Sequence, residues 1–301
     1  MSDWLPKMEK LGSETDSRLS FAHTQYKAGE YDKATGELQA VLRMDPRNAD
    51  AMSLLGKIHY ERGQLAEAEE RADDALRSDP KHVKSWLLKA VVAYERGRVD
   101  DAVRASEQAT VCDPKDDSSF IMLGNFLGIQ ENYDRARVAY ERALELNPQL
   151  APAHRQLGKI YAMKGDTHRA LDCLKNALLL DPTNANAQCS LGDLLLSMNQ
   201  DEEALKAFRE ASRLNPNNDE YFVRTGSVYL KMKRHAEAIL EYNRGIKLRN
   251  KNARAQLGLG KAYMELGQFA DAARQAKAAL EIDPSWDEAK QLLAEAEAKQ
   301  V

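Results

Sequence analysis

Six histidines, three cysteines and sixteen glycines are the residues of this 301-residue chain that could carry catalysis or bind a metal or phosphate. His23, His59, His82, His154, His168 and His235 fall on different faces when read at helical spacing, so register assembles no Ser/His/Asp or Cys/His set. His59 reads as a packed side chain. Cys112, Cys173 and Cys189 form neither a Cys-x-x-Cys pair nor a Cys/His ligand spacing, which excludes a sequence-readable zinc site. They read as small apolar fillers of a protein kept in a reducing, cytoplasmic setting. The glycines form no phosphate loop; they recur with a long period. The expectation is therefore a protein that is not an enzyme and takes no cofactor or metal. Residues suited to binding are easier to find. Arg155 and Lys159 stand one helical turn apart, with Arg254 and Lys261 further on, and such cations could grip a carboxylate. Tyr26, Tyr60 and Tyr94 recur at a constant interval of 34 residues.

Those residues sit on elements that the sequence declares plainly. Residues 151–184, APAHRQLGKIYAMKGDTHRALDCLKNALLLDPTN, read as two short amphipathic helices. Leu157, Tyr161, Leu171, Leu174, Leu178 and Leu180 recur at spacings of three and four, the mark of one buried helical face. Gly165-Asp166 breaks the first helix and Asp181-Pro182 ends the second. A pair this thin cannot bury its own apolar face, but a stack of pairs can. Copies are present. Proline occupies 46, 80, 114, 148, 182, 216 and 284, with Asn250 at the one vacant place. Alanine occupies 34, 68, 102, 136, 170, 204, 238 and 272. A second small series runs Val41, Ala75, Ala109, Ala143, Ala177, Ala211, Gly245 and Ala279, and a third runs Ala22, Gly56, Ala90, Gly124, Gly158, Gly192, Gly226 and Gly260.

The pattern Leu157-Gly158-x2-Tyr161, Ala170-x3-Leu174, Ala177 and Pro182 resembles the tetratricopeptide repeat. The resemblance divides the chain into a leader or short helix (1–14), eight repeats (15–48, 49–82, 83–116, 117–150, 151–184, 185–218, 219–252 and 253–286) and a polar capping helix in 287–301. It implies an all-α, right-handed superhelical solenoid whose first helices line a concave groove. Repeat register then places Leu87, Ile121, Arg155 and Leu257 in one groove ladder. It places Val91, Asn125, Lys159 and Lys261 in a second, and Tyr26, Tyr60 and Tyr94 in a third. The tyrosines with Leu87, Val91 and Ile121 would make an aromatic-aliphatic strip for a peptide or a helix; equally, the rings could pack between helices and meet no ligand. The lysine-asparagine clamp with which some family members hold chaperone tails is absent, because Leu19, His23 and Leu54 stand at its places.

Charge sets the remaining limits. The formal charge of −4 gives no basic coat for nucleic acid, and the leader has no basic-then-apolar pattern of a secretory signal. No stretch approaches the ~18 apolar residues of a membrane span. Residues 1–150 carry 21 Lys/Arg against 27 Asp/Glu, and residues 151–301 carry 22 against 20. Lys231, Lys233, Arg234, Lys247, Arg249, Lys251 and Arg254 gather where the proline is missing, a solvated edge or a patch for an acidic partner. Lys89 interrupts a leucine position. The segments 83–97 and 117–130 are apolar almost all round, so part of their surface should face a groove or a partner. The expected function is a protein-interaction scaffold or adaptor holding a peptide or helix of a partner. The alternatives are self-assembly through 83–97 and 117–130 into a homo-oligomer, and a non-catalytic recognition subunit of an enzyme assembly.

Overall fold

The computed structural model describes the backbone of residues 5–300 and the side chains from residue 14 to residue 300. Trp4 and the side chains of Leu5, Met8 and Leu11, which helical spacing would put on one face of the leader, lie outside the described residues. Every regular element among the described residues is a helix. The chain divides into two compact units between Pro148 and Gln149. The first holds α1 (Leu5–Lys27), α2 (Tyr31–Met44), α3 (Ala49–Glu61), α4 (Leu65–Ser78), α5 (Val83–Glu95), α6 (Val99–Cys112), α7 (Asp117–Ile129) and α8 (Tyr133–Leu146). The second holds α9 (Ala151–Met163), α10 (Thr167–Leu180), α11 (Ala185–Ser197), α12 (Asp201–Leu214), α13 (Asp219–Lys231), α14 (His235–Leu248), α15 (Ala253–Glu265), α16 (Phe269–Ile282) and α17 (Asp287–Ala298). Helix α1 runs unbroken through the leader into the first repeat.

Each helix pairs with the next into a hairpin, and hairpins stack within each unit, as an all-α solenoid requires. The joints explain the proline period. At the first joint the Asp45 N–H closes α2 on the Val41 carbonyl at 2.7 Å. The Asp45 carboxylate then accepts from the Arg47 N–H at 3.1 Å, and Asn48 caps α3 by accepting from the Ala51 N–H at 2.9 Å. Proline after Asp45 cannot prolong the helix, so a short motif ends one helix and starts the next. Where Asn250 replaces the proline, Asn252 still caps α15, accepting from Ala255 at 3.0 Å. Its amide also donates to the buried Asp219 carboxylate, to which Arg249 approaches within 3.3 Å. Side-chain ties hold the joint that proline would otherwise stiffen.

The small-residue series works by size complementarity. A Cβ built on Gly124 would lie 2.7 Å from the Tyr140 ring, on Gly158 2.7 Å from Leu174, and on Gly192 2.7 Å from Phe208. At Gly56 and Gly260 the space is taken by a leucine of the following helix hairpin, Leu88 or Leu292. Glycine in this slot leaves room for whatever large side chain faces it. Successive first helices also touch one another, α1 with α3, α3 with α5 and α5 with α7 in the first unit. Among the described residues second helices make less contact with one another, so within each unit the first helices share one continuous face, the inner face.

Candidate functional site

On the inner face of the first unit, the 34-residue period puts a tyrosine in the last turn of α1, α3 and α5. The Tyr26 hydroxyl donates to Glu61 at 2.8 Å and the Tyr60 hydroxyl donates to Glu95 at 3.3 Å. Burial, then the neighbouring glutamate, pushes the acidity of the Tyr26 phenol down, so it stays a donor; burial and Glu95 act likewise on Tyr60. These two hydroxyls tie one repeat to the next. Lys57 stands over the Tyr26 ring at 5.1 Å. Tyr94 breaks the series, because the next repeat carries Ile129 where the glutamate should be. Its ring packs against Phe126 at 5.5 Å, it is 39% exposed, and among the described residues its hydroxyl has no hydrogen-bond partner. Ile129 is 47% exposed, and Leu87 and Val91 of α5 and Ile121 of α7 are half-buried. Asn125 is exposed but accepts from the Tyr140 hydroxyl at 2.7 Å.

The inner face of the second unit is charged. Arg224 pairs with Asp193 and lies 3.2 Å from Glu220, which is 3.5 Å from Arg254. Lys261 reaches Glu288 at 2.6 Å. Arg254 and Lys261, expected to grip an incoming carboxylate, thus already face acids of the chain. Arg155 is half-buried, and Lys159 is exposed near Cys189 and Asp193. Burial, helped by Asp193, pushes the Cys189 thiol up to about 12. Burial also raises the Asp193 carboxyl, against the pull of Arg224. Part of the basic turn is similarly engaged: Lys231 donates to Asp201 at 2.7 Å and Arg234 pairs with Glu237 at 2.8 Å. Lys89, the departure in the third repeat, donates to Asp73 at 2.6 Å.

The groove ladders left out four participants, Glu61, Glu95, Ile129 and Arg224, of which Ile129 belongs to the apolar segment 117–130 singled out in the sequence. The signal for the first three was present, an acid 35 residues after Tyr26 and Tyr60 and an isoleucine 35 after Tyr94. Register also failed to assemble one set that the structure brings together. His82 Nδ1 is 2.8 Å from the Ser85 hydroxyl and His82 Nε2 is 3.4 Å from Asp50. Ser85 is 0% exposed, so no substrate carbonyl can reach it. With Lys84, which donates to Asp50 at 2.6 Å, the set latches α5 to α3. Among the described residues no group of histidine, cysteine and carboxylate side chains could hold a metal ion, and no helix is long and apolar enough to cross a membrane.

Models of the tetratricopeptide repeat match residues 25–82 and 162–222, residues 59–117, residues 124–165 and 226–267, and residues 253–286. The chain belongs to the tetratricopeptide repeat family. Comparison with curated proteins finds no match. Among solved structures, this tetratricopeptide repeat protein superimposes on a chain of the APC/C hetero-tetramer Cut9-Hcn1 with a TM-score of 0.70 at 21% identity. That match covers 98% of the present chain, which spans 58% of the other's length. YrrB, a tetratricopeptide repeat protein with an unusual peptide-binding site, is similar over 66% of this chain and 100% of its own, with a TM-score of 0.51 and 24% identity. A repeat protein from Parabacteroides merdae gives 0.61 at 17% identity, covering 83% of this chain and 99% of its own. At these identities the likeness is one of fold.

Proposed function

We propose that this tetratricopeptide repeat protein is a non-catalytic interaction scaffold that holds a segment of a partner protein on the inner face of its first unit. The carrying observation is the opening around Tyr94. There the tie between repeats is missing, and a phenol and an isoleucine stand exposed on helices that also carry half-buried Leu87, Val91 and Ile121. A semi-exposed aromatic among aliphatic side chains is the composition of an interface anchor. YrrB, of the same fold, has a peptide-binding site, which supports the reading. The charged face of the second unit is largely satisfied within the chain, so it offers less to a partner than its cation content suggests.

Affinity capture from native lysate with the parent chain and with Leu87→Glu as baits tests this. Each recovered partner is then mapped by hydrogen exchange. Slowed exchange in α3, α5 and α7, lost together with capture by a folded Leu87→Glu protein, is the expected result. Partners that bind Leu87→Glu at full strength, or that protect only other helices, would remove the proposal.

A further inference from the structure

The open end of the tyrosine series has acids on one side of it. Glu61 and Glu95 are exposed, and each gives only one carboxylate oxygen to a tyrosine. The arginines that follow them do not neutralise them: Arg62 reaches Asp32 at 2.6 Å and Arg96 pairs with Glu69. Lys57, one turn before Glu61 on α3, is held over the Tyr26 ring, and among the described residues neither glutamate forms an ion pair. One repeat along, the glutamate is replaced by Ile129 and the Tyr94 hydroxyl has nothing to donate to. The face therefore changes from acidic to apolar over one repeat.

Neighbouring first helices pack roughly 8–10 Å apart. An extended segment in the polyproline II conformation advances about 3.1 Å per residue with about three residues per turn, so side chains three apart share a face and span one repeat. The exposed Tyr94 hydroxyl, without a partner in the chain, can exchange water for a peptide acceptor, which the unbonded backbone carbonyls of an extended segment offer more readily than the internally bonded ones of a helix. We propose that this face takes an extended peptide bearing an apolar side chain on the Tyr94/Ile129 shelf and, three residues away, a lysine or arginine between Glu61 and Glu95. A backbone carbonyl of the peptide accepts from Tyr94. This rests on the partner-binding function proposed above and specifies its ligand.

The test uses the full chain and an array of immobilised twelve-residue peptides of random composition, followed by fluorescence anisotropy on the best binders. Bound peptides should be enriched in an apolar residue and a lysine or arginine three apart, and exchanging that cation for glutamate should weaken binding at least tenfold. The double variant Glu61→Lys/Glu95→Lys should invert the preference toward acidic peptides, with Tyr60→Phe as the control for losing its tie. Ile129→Glu supplies Tyr94 with the partner that Tyr26 and Tyr60 have; it should keep the helical spectrum and melting temperature and lose at least tenfold in affinity. Tyr94→Phe, which removes only the hydroxyl, should weaken the same peptides severalfold. Peptides bound equally whatever their charge, or bound unchanged by both Ile129→Glu and Tyr94→Phe, would overturn this inference and leave the scaffold function standing. An array with no bound peptide, together with captured partners that leave α3, α5 and α7 unprotected, would overturn both.

Discussion

Glu131, Asn199 and Lys233 hold backbone φ angles of 59°, 58° and 60° in the turn between paired helices. The other turns of this kind use Gly29, Gly63, Gly97, Gly165 and Gly267, at φ between 72° and 77°. A side chain in this left-handed region costs about 1–2 kcal/mol, part of which glycine gives back through its freer unfolded chain. Glu131→Gly and Lys233→Gly should each stabilise the protein by about 0.5–1 kcal/mol, read from urea denaturation midpoints. A second residue-scale effect concerns acid. The His82 hydrogen bond, reinforced by Lys84, holds the Asp50 carboxyl well below the usual carboxylate range. A depressed carboxyl stabilises the fold above its unfolded value, near pH 4, and that contribution is lost as pH falls below it. Because the group is partly exposed, Asp50→Asn should cost about 0.5–1 kcal/mol at pH 7. The gap between variant and parent should close toward pH 2 in denaturation curves measured across that range.

Among the helices, the small slots were legible and their purpose was not. Three series at one period announced close helix packing from the sequence alone. Which large side chain fills a slot varies, sixteen residues on for Gly124 with Tyr140 or Gly192 with Phe208 but thirty-two for Gly56 with Leu88, and it emerges only when the hairpins are folded. The same holds for the inner face. Repeat register put Tyr26, Tyr60 and Tyr94 on one ladder, but it could not show that two of them are spent on Glu61 and Glu95, because that bond crosses to the neighbouring hairpin. Lys89 looked like a flaw until Asp73 stood opposite it. Gly192→Ala should cost about 1–3 kcal/mol by driving a methyl group into the Phe208 ring. In that background Phe208→Ala should cost less than it does in the parent, a coupling that a double-mutant cycle measures. Equal costs in both backgrounds would mean the slot is not a size match.

Within each of the two units, every tie described here reaches only to an adjacent hairpin: Tyr26 to Glu61, Lys84 to Asp50, Asn252 to Asp219. Contacts of this range make stability a sum of local terms, and opening of one end need not wait for the other. The family and helical class could be read directly because a repeating sequence states its neighbours many times over. The division at Pro148-Gln149 could not, since nothing in the period distinguishes that joint from the rest. One practical consequence follows from ties that stop at the next hairpin. A peptide seated across α3, α5 and α7 would raise the opening cost of those helices and leave the second unit to melt as before. A screen that scores compounds by the shift of a single bulk transition would therefore pass over good binders, whereas residue-resolved exchange or tyrosine-specific spectroscopy at Tyr94 would register them.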